Sequence, residues 1–476
     1  MSYPKIIQGG MGAGVSSWRL ARAVSMEGQL GVVSGTALAT LFVRVLQLGD
    51  VGGHVRRAVD AFPAREVAER IYQRYHVPGG VSEGQPFKRH AMYTLNASQD
   101  LLELTVFASF AEVFLAKEGH DGVVGMNLLE KITLPNLPSL YGAMLADVDY
   151  ILMGAGIPME IPGALDALAE HKSASLRIHV AGALKGEDTH FTFDPAKVFP
   201  TLTAPLKRPL FLAIIASNVL ATALKKRATG RIDGFVVEGP SAGGHNAPPR
   251  GSAPLNERGE PVYGPKDDVN IEELKTLGLP FWLAGSYGSP ERLKEALDRG
   301  AAGIQAGTVF ALCEESGLES SLREAMLAGI IRGDLDVYTD PLASPTGFPF
   351  KVARLEGTLA DDAVYDERPR RCDLGYLRAA YRKEDGSVDF RCPGEPLEQF
   401  VAKGGCEEEA QGRKCLCNAL TGVVGLAQHQ PGGYVEKALV TIGDDVKLMT
   451  RFMHDGNSTL HARDVIREML QACGTN

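Results

Sequence analysis

The stretch Glu238-Gly239-Pro240-Ser241-Ala242-Gly243-Gly244-His245 joins a carboxylate to an imidazole through small residues. Gly243 and Gly244 carry no side chain, so a flat ligand can approach the backbone closely there. An imidazole titrates near neutral pH, which makes His245 a candidate general base. A structural histidine in a glycine turn is the alternative on residue type alone. Two more small-residue stretches follow, Ala284-Gly285-Ser286 and Gln305-Ala306-Gly307-Thr308. Backbone N–H groups in such turns can point at a phosphate, and the Thr308 hydroxyl adds a donor. Two ordinary glycine turns would look the same.

Near the N-terminus, Gln8-Gly9-Gly10-Met11-Gly12-Ala13-Gly14 has the look of a dinucleotide loop. It lacks the x-x-G spacing, however, and no acidic residue closes the next apolar run, VVSGT. Gly10 and Met11 are better read as a strand end facing a flat ring. Asn127, in GMNLL, offers such a ring both a donor and an acceptor.

These residues need elements to hold them. Each stands at or just after a short apolar run. The runs are Lys5–Met11, Leu30–Thr36, Gly122–Leu129, Asp149–Gly156, Pro209–Ser217, Ile232–Gly239, Leu279–Ser286 and Ala302–Phe310. Continuous apolar strands suit a parallel sheet buried on both faces. Helical patterns at Ser17–Glu27, Ile161–His171, Asn218–Ala228 and Ser289–Arg299 lie between them. Ser289-Pro290-Glu291 is a helix start, with serine as cap and proline in the first turn. The alternation predicts an α/β fold, a (β/α)8 TIM barrel, with the candidate residues at the C-terminal ends of its strands.

The barrel is expected over residues 1–352. Insertions fall at about 37–120, with several helices, and 174–206, a β-hairpin outside the barrel. Residues 353–476 are expected to form an irregular, cysteine-containing lid or substrate subdomain and a closing helix. That region holds Cys372, Cys392, Cys406, Cys415, Cys417 and Cys473, six of the seven cysteines. They could be small buried groups, metal ligands, or a pocket thiol with its pKa lowered by Arg413 and Lys414. No C-x-x-C pair is present, so a metal-free lid is expected.

Of the 476 residues 45% are hydrophobic and 22% charged, enough apolar residue for a large core. The net charge of −9, with no basic stripe, argues against nucleic acid as a partner. No apolar stretch reaches membrane-spanning length and no signal peptide pattern opens the chain, so a cytoplasmic protein acting on a small molecule is expected. Monomer and homodimer both stay open.

Taken together, IIQGGMG at 6–12, GMNLL at 125–129, VVEGPSAGGH at 236–245, LAGSYGSPE at 283–291, GIQAGTVF at 303–310 and SPTGFPFKV at 344–352 resemble the nitronate monooxygenases. Flavin-dependent enoyl reductases share that scaffold. The resemblance spans residues 4–352. It implies FMN contacts at Asn127, Glu238, Gly243, Gly285 and Gln305–Thr308, including Ala306 and Gly307. Gly10, Met11, Gly244 and Ser286 join them as candidate cofactor contacts by their place at the strand ends. It also implies His245 as the base that takes a substrate α-proton. The chain departs from the family where Glu238 replaces Gln, Ser241 replaces Glu and Ser286 replaces a second Gly. A carboxylate near a flavin edge would disfavour an anionic ring. The implied activity is oxidation of a small, carbanion-forming, nitronate-like substrate with O2. An NAD(P)H-dependent enoyl reductase and a non-redox FMN-binding accessory protein are the alternatives.

Overall fold

The computed structural model describes residues 3–251, 254–453 and 459–471. Cys473 lies outside them. Eight parallel strands form one sheet: β1 (Ile6–Gln8), β2 (Gly31–Ser34), β3 (Val124–Leu129), β4 (Tyr150–Gly154), β5 (Leu210–Ile215), β6 (Gly234–Glu238), β7 (Phe281–Ala284) and β8 (Gly303–Ala306). Each falls inside one of the apolar runs. β1 pairs with β8 at Ile6 opposite Ile304, and pairing continues through β7, β6, β5, β4 and β3 to β2. The ring closes between β2 and β1, where a parallel bridge joins Leu30 to Ile7 and Gln8 N donates to Leu30 O at 3.0 Å. The fold is a (β/α)8 barrel.

Ile7, Val32, Leu152, Leu212, Val236 and Trp282 fill the barrel interior, and the alternating residues face the helix ring. Trp282 is fully buried; its indole N–H donates to Pro4 O at 2.8 Å, which plugs the floor and leaves the strand C-termini as the open end. Close packing at the wall uses glycine. A Cβ on Gly31 would lie 1.9 Å from Ala21 O in the helix Trp18–Met26. One run continues past its strand: Thr308–Ala311, read as part of β8, is a short helix. A fully apolar run has no periodicity to separate strand from helix, and the chain must turn where it meets the cavity.

The first insertion holds the helices Leu38–Gln47, His54–Ala61, Arg65–Tyr75 and Gln99–Lys117. The second contains an antiparallel hairpin, Ala174–Ile178 with Thr189–Phe193. In the connection between its two strands, Val180–Ala181 pairs with Ala379–Arg382, which itself pairs with Val388–Arg391. A small sheet thus ties the insertion to the C-terminal region. That region divides between two places. Residues about 360–435 cover the barrel mouth, while Ala353 N donates to Val440 O and the helix Ala462–Gln471 packs against Trp18–Met26 and Pro290–Asp298. The last helix therefore stands in the barrel's outer ring. Among the described residues no helix is long and apolar enough to cross a membrane.

Candidate active site at the barrel mouth

One cavity opens over the C-terminal ends of the strands, and His245 and every residue read as a cofactor contact line it. β1 delivers Gly10 and Met11, β3 delivers Asn127, and β6 delivers Glu238 with the loop Gly243–His245. β7 delivers Gly285 and Ser286, and β8 delivers Gln305 through Thr308. A side chamber of about 490 Å³, a volume suited to a small molecule, shares Glu238 and His245 with it. Those two ionisable groups stand between the two spaces.

Gly10 is demanded by Asn127: a Cβ there would fall 2.2 Å from Asn127 Cβ. Asn127 is held against that turn, and its Oδ1 is buried without a hydrogen-bond partner. An unpartnered acceptor in a cavity fits a ligand N–H. At the other end Gly285 and Ser286 take successive positive φ values of 85° and 56°. Such a turn points neighbouring N–H groups into one concavity. Among the described residues those of Gly285, Ser286 and Gly307 find no protein acceptor. Ser286 occupies backbone that favours glycine, a strain consistent with the glycine expected there.

His245 is fixed by pairing that its sequence neighbourhood does not show. Gly244–His245 forms an antiparallel pair with Lys351 and Phe350, and the ring stands edge-on to Phe350 with centroids 4.8 Å apart. Nε2 lies 2.7 Å from Ser344 Oγ. Burial lowers the imidazole pKa to about 4, so the ring is neutral at pH 7. Burial pushes Glu238 the other way, to about 7. The Glu238 side chain sits at the end of β6 facing the cavity, with no cation beside it to hold its charge.

Several wall residues were not foreseen. Tyr376, Leu377 and Leu416 come from the covering region, and Thr441–Gly443 and Asp445 from the returning C-terminal segment. Cys417, one of the thiols read as a pocket candidate, does line the cavity, but with its pKa raised by burial and not lowered. Tyr376 Oη lies 3.0 Å from Thr40 Oγ1, and burial pushes the phenol up to about 12, so it stays protonated. Gly443 N donates to Thr308 Oγ1 at 3.2 Å. The Asp445 carboxyl faces the same corner, where burial raises its pKa and favours the neutral acid. The free N–H groups, the Thr308 hydroxyl and the unpartnered Asn127 Oδ1 together fit a flat ring with a phosphate tail.

Residues 175–330, which carry β5 through β8 and His245, match the family model described as nitronate monooxygenase. A nitronate monooxygenase from Pseudomonas aeruginosa is 27% identical over 168 residues, which is 35% of this chain and 42% of that protein. The chain is nitronate monooxygenase-like. The match covers less than half the length of that relative. Solved structures of similar shape include FabK from Thermotoga maritima (TM-score 0.48, 16% identity, 99% of this chain and 93% of that one). Nitroalkane oxidase from Streptomyces ansochromogenes is another (TM-score 0.48, 12% identity, 99% and 96%). The nitronate monooxygenase-like stretch ends before the covering region, which has no counterpart in the family match. Among the described residues no group of three or more His, Cys, Asp or Glu side chains is arranged to hold a metal.

Proposed function

We propose that the protein is an FMN-dependent oxidoreductase that oxidises a small carbanion-forming, nitronate-like substrate with O2, acting in the cytoplasm. The observation that carries this reading is the cavity at the strand ends, where an unpartnered Asn127 Oδ1 faces one end and free backbone N–H groups the other. Bound FMN would supply two-electron redox chemistry there. Asn127 would meet a ring edge, and Gly285, Ser286, Gly307 and Thr308 would hold the phosphate. Gly243 and Gly244 leave room above the ring, and Tyr376, Leu377 and Leu416 exclude water.

His245 would take the substrate α-proton. Its neutral ring is competent to accept one, and Ser344 Oγ fixes its orientation through Nε2. The burial that keeps it neutral also makes the imidazolium costly, so the proton moves readily only toward an anion forming beside it. Glu238 is protonated below about pH 7 and then spares that anion a repelling charge.

Replacing His245 by Asn tests the assignment. Oxidation of a neutral nitroalkane should fall about 10²–10⁴-fold, the usual contribution of a general base, while a pre-formed nitronate should be oxidised almost as before. Equal losses with both substrates would remove His245 from the role.

The side chamber favours a second reading. It is lined by Lys131 and Arg250, cations suited to a phosphorylated co-substrate such as NAD(P)H. Stoichiometric NAD(P)H oxidation coupled to enoyl reduction would establish it in place of the first.

A further inference from the structure

Four cysteines from three separate stretches, Cys372, Cys392, Cys415 and Cys417, line one enclosed cavity beneath the covering region. Its volume is about 10 Å³, room for roughly one water-sized molecule. No organic ligand fits there, so the chemistry open to these thiols is with one another and with a very small reagent. Cys372 and Cys392 both line the cavity, and their thiols act on each other's ionisation, which places the two sulfurs close together. Cys392 is buried, whereas Cys372 is half-buried.

We propose that Cys372 and Cys392 form a peroxide-oxidisable dithiol, with Cys372 as the attacking sulfur and Cys392 as the resolving one.

The four sulfurs are not equivalent. The neighbouring Cys392 thiol, and after it the positive charge of Arg378, hold the Cys372 thiol below its ordinary value against the effect of burial. Burial pushes Cys415 up to about 11 and raises Cys417 as well. The neighbouring Cys372 thiol, then burial, raises Cys392. A thiol of lowered pKa, partly accessible and next to a second thiol, is the arrangement that peroxides oxidise selectively.

The steps balance. The Cys372 thiolate attacks one oxygen of hydrogen peroxide; the O–O bond breaks, an S–OH forms, and hydroxide leaves to take up a proton. The Cys392 sulfur then attacks the Cys372 sulfur. The S–S bond forms, the S–O bond breaks, and water leaves with the Cys392 proton. Two thiols lose two electrons, and peroxide becomes two waters. The disulfide closes a loop that carries Tyr376 and Leu377, both in the wall of the main cavity. Oxidation therefore reaches the active-site wall without touching the residues beneath it.

The test uses the full-length protein as purified, with or without FMN, because the oxidation needs no flavin. Reduced protein is treated with one equivalent of hydrogen peroxide, alkylated and mapped by mass spectrometry. The expected result is a Cys372–Cys392 cross-linked peptide, loss of those two thiols from the alkylated pool, and their return on reduction with dithiothreitol. In Cys392→Ser, a cyclic dione should capture a sulfenic acid at Cys372; in Cys372→Ser, Cys392 should stay alkylatable. The proposal is overturned if all thiols survive one equivalent of peroxide in the wild-type protein. A cross-link confined to Cys415 and Cys417, or a stoichiometric metal ion on these thiols, overturns it too. The wild-type peptide map decides between these results by itself, even where a variant fails to fold.

Discussion

At the residue scale the site turns on two neighbouring groups that burial drives in opposite directions. His245 is pushed down to about 4 and Glu238 up to about 7. Each thereby favours its neutral form, because burial in the cavity wall penalises the charged one. The Glu238 shift gives a pH prediction. Below about 7 the carboxyl is protonated and uncharged; above it a carboxylate faces any anionic substrate. With a pre-formed nitronate, kcat/KM should fall as pH rises through about 7, and Glu238→Gln should flatten that limb. An unchanged limb in the glutamine variant would assign it to another group. The sequence makes Glu238 and His245 conspicuous, since both flank a glycine-rich strand end. Ser344 stands in a motif that the sequence does show, but its contact with His245, across about a hundred residues, follows from no local pattern, and Asp445, beside Thr308, carries no signal at all.

At the element scale the eight strands were readable because a sheet buried on both faces demands continuous apolar runs, and the turn at each strand end demands small residues. The covering region was not readable in that way. Its buried apolar side chains, Leu359, Leu377, Leu416 and Ala419 among them, sit on short elements with no long periodic face, and buried polar pairs join those elements. Arg368 donates to both carboxylate oxygens of Glu436, at 2.9 and 3.0 Å, with both side chains nearly inaccessible. Gln430 Nε2 donates to Glu436 Oε1 at 2.9 Å and to Asp373 Oδ2 at 2.8 Å. Asn418 Nδ2 donates to Asp373 Oδ1. Breaking such a pair leaves an uncompensated charge, at a cost of about 3–5 kcal/mol. Arg368→Met should therefore lower the unfolding free energy by about that amount, measured by denaturant titration. Arg368→Met with Glu436→Gln should recover part of the loss. A single variant as stable as wild type would show that the pair does not hold this region.

Across the whole molecule, the C-terminal segment is the part that joins cover to barrel. It passes Thr441–Asp445 along the cavity wall, with Gly443 N on Thr308 Oγ1 and Asp444 N on Ser241 O at 3.0 Å. It then lays Val465, Ile466 and Met469, all buried, onto the outer ring. A Cβ on Gly243 would come within 2.7 Å of Ile442 C, so the loop before His245 is packed directly on this segment. Truncation after residue 435 should expose that ring surface and open the wall beside Thr308. The expected result is loss of cooperative thermal unfolding and of flavin retention through gel filtration. A truncated protein that melts cooperatively and keeps its flavin would show that the segment is dispensable. A closing helix is legible here in the sequence, but the path of residues 436–452 through the site follows from tertiary packing alone.

The most direct test of the proposed function is the identity of what the cavity holds. Purified protein should be yellow, and mass spectrometry of the heat-released cofactor should show FMN and no FAD, because the strand ends offer a phosphate corner at Gly285, Ser286, Gly307 and Thr308 and the described residues form no separate unit for an adenosine half. Asn127→Ala should weaken FMN retention while leaving the barrel folded by circular dichroism. A colourless protein that cannot be reconstituted with FMN would contradict the central claim.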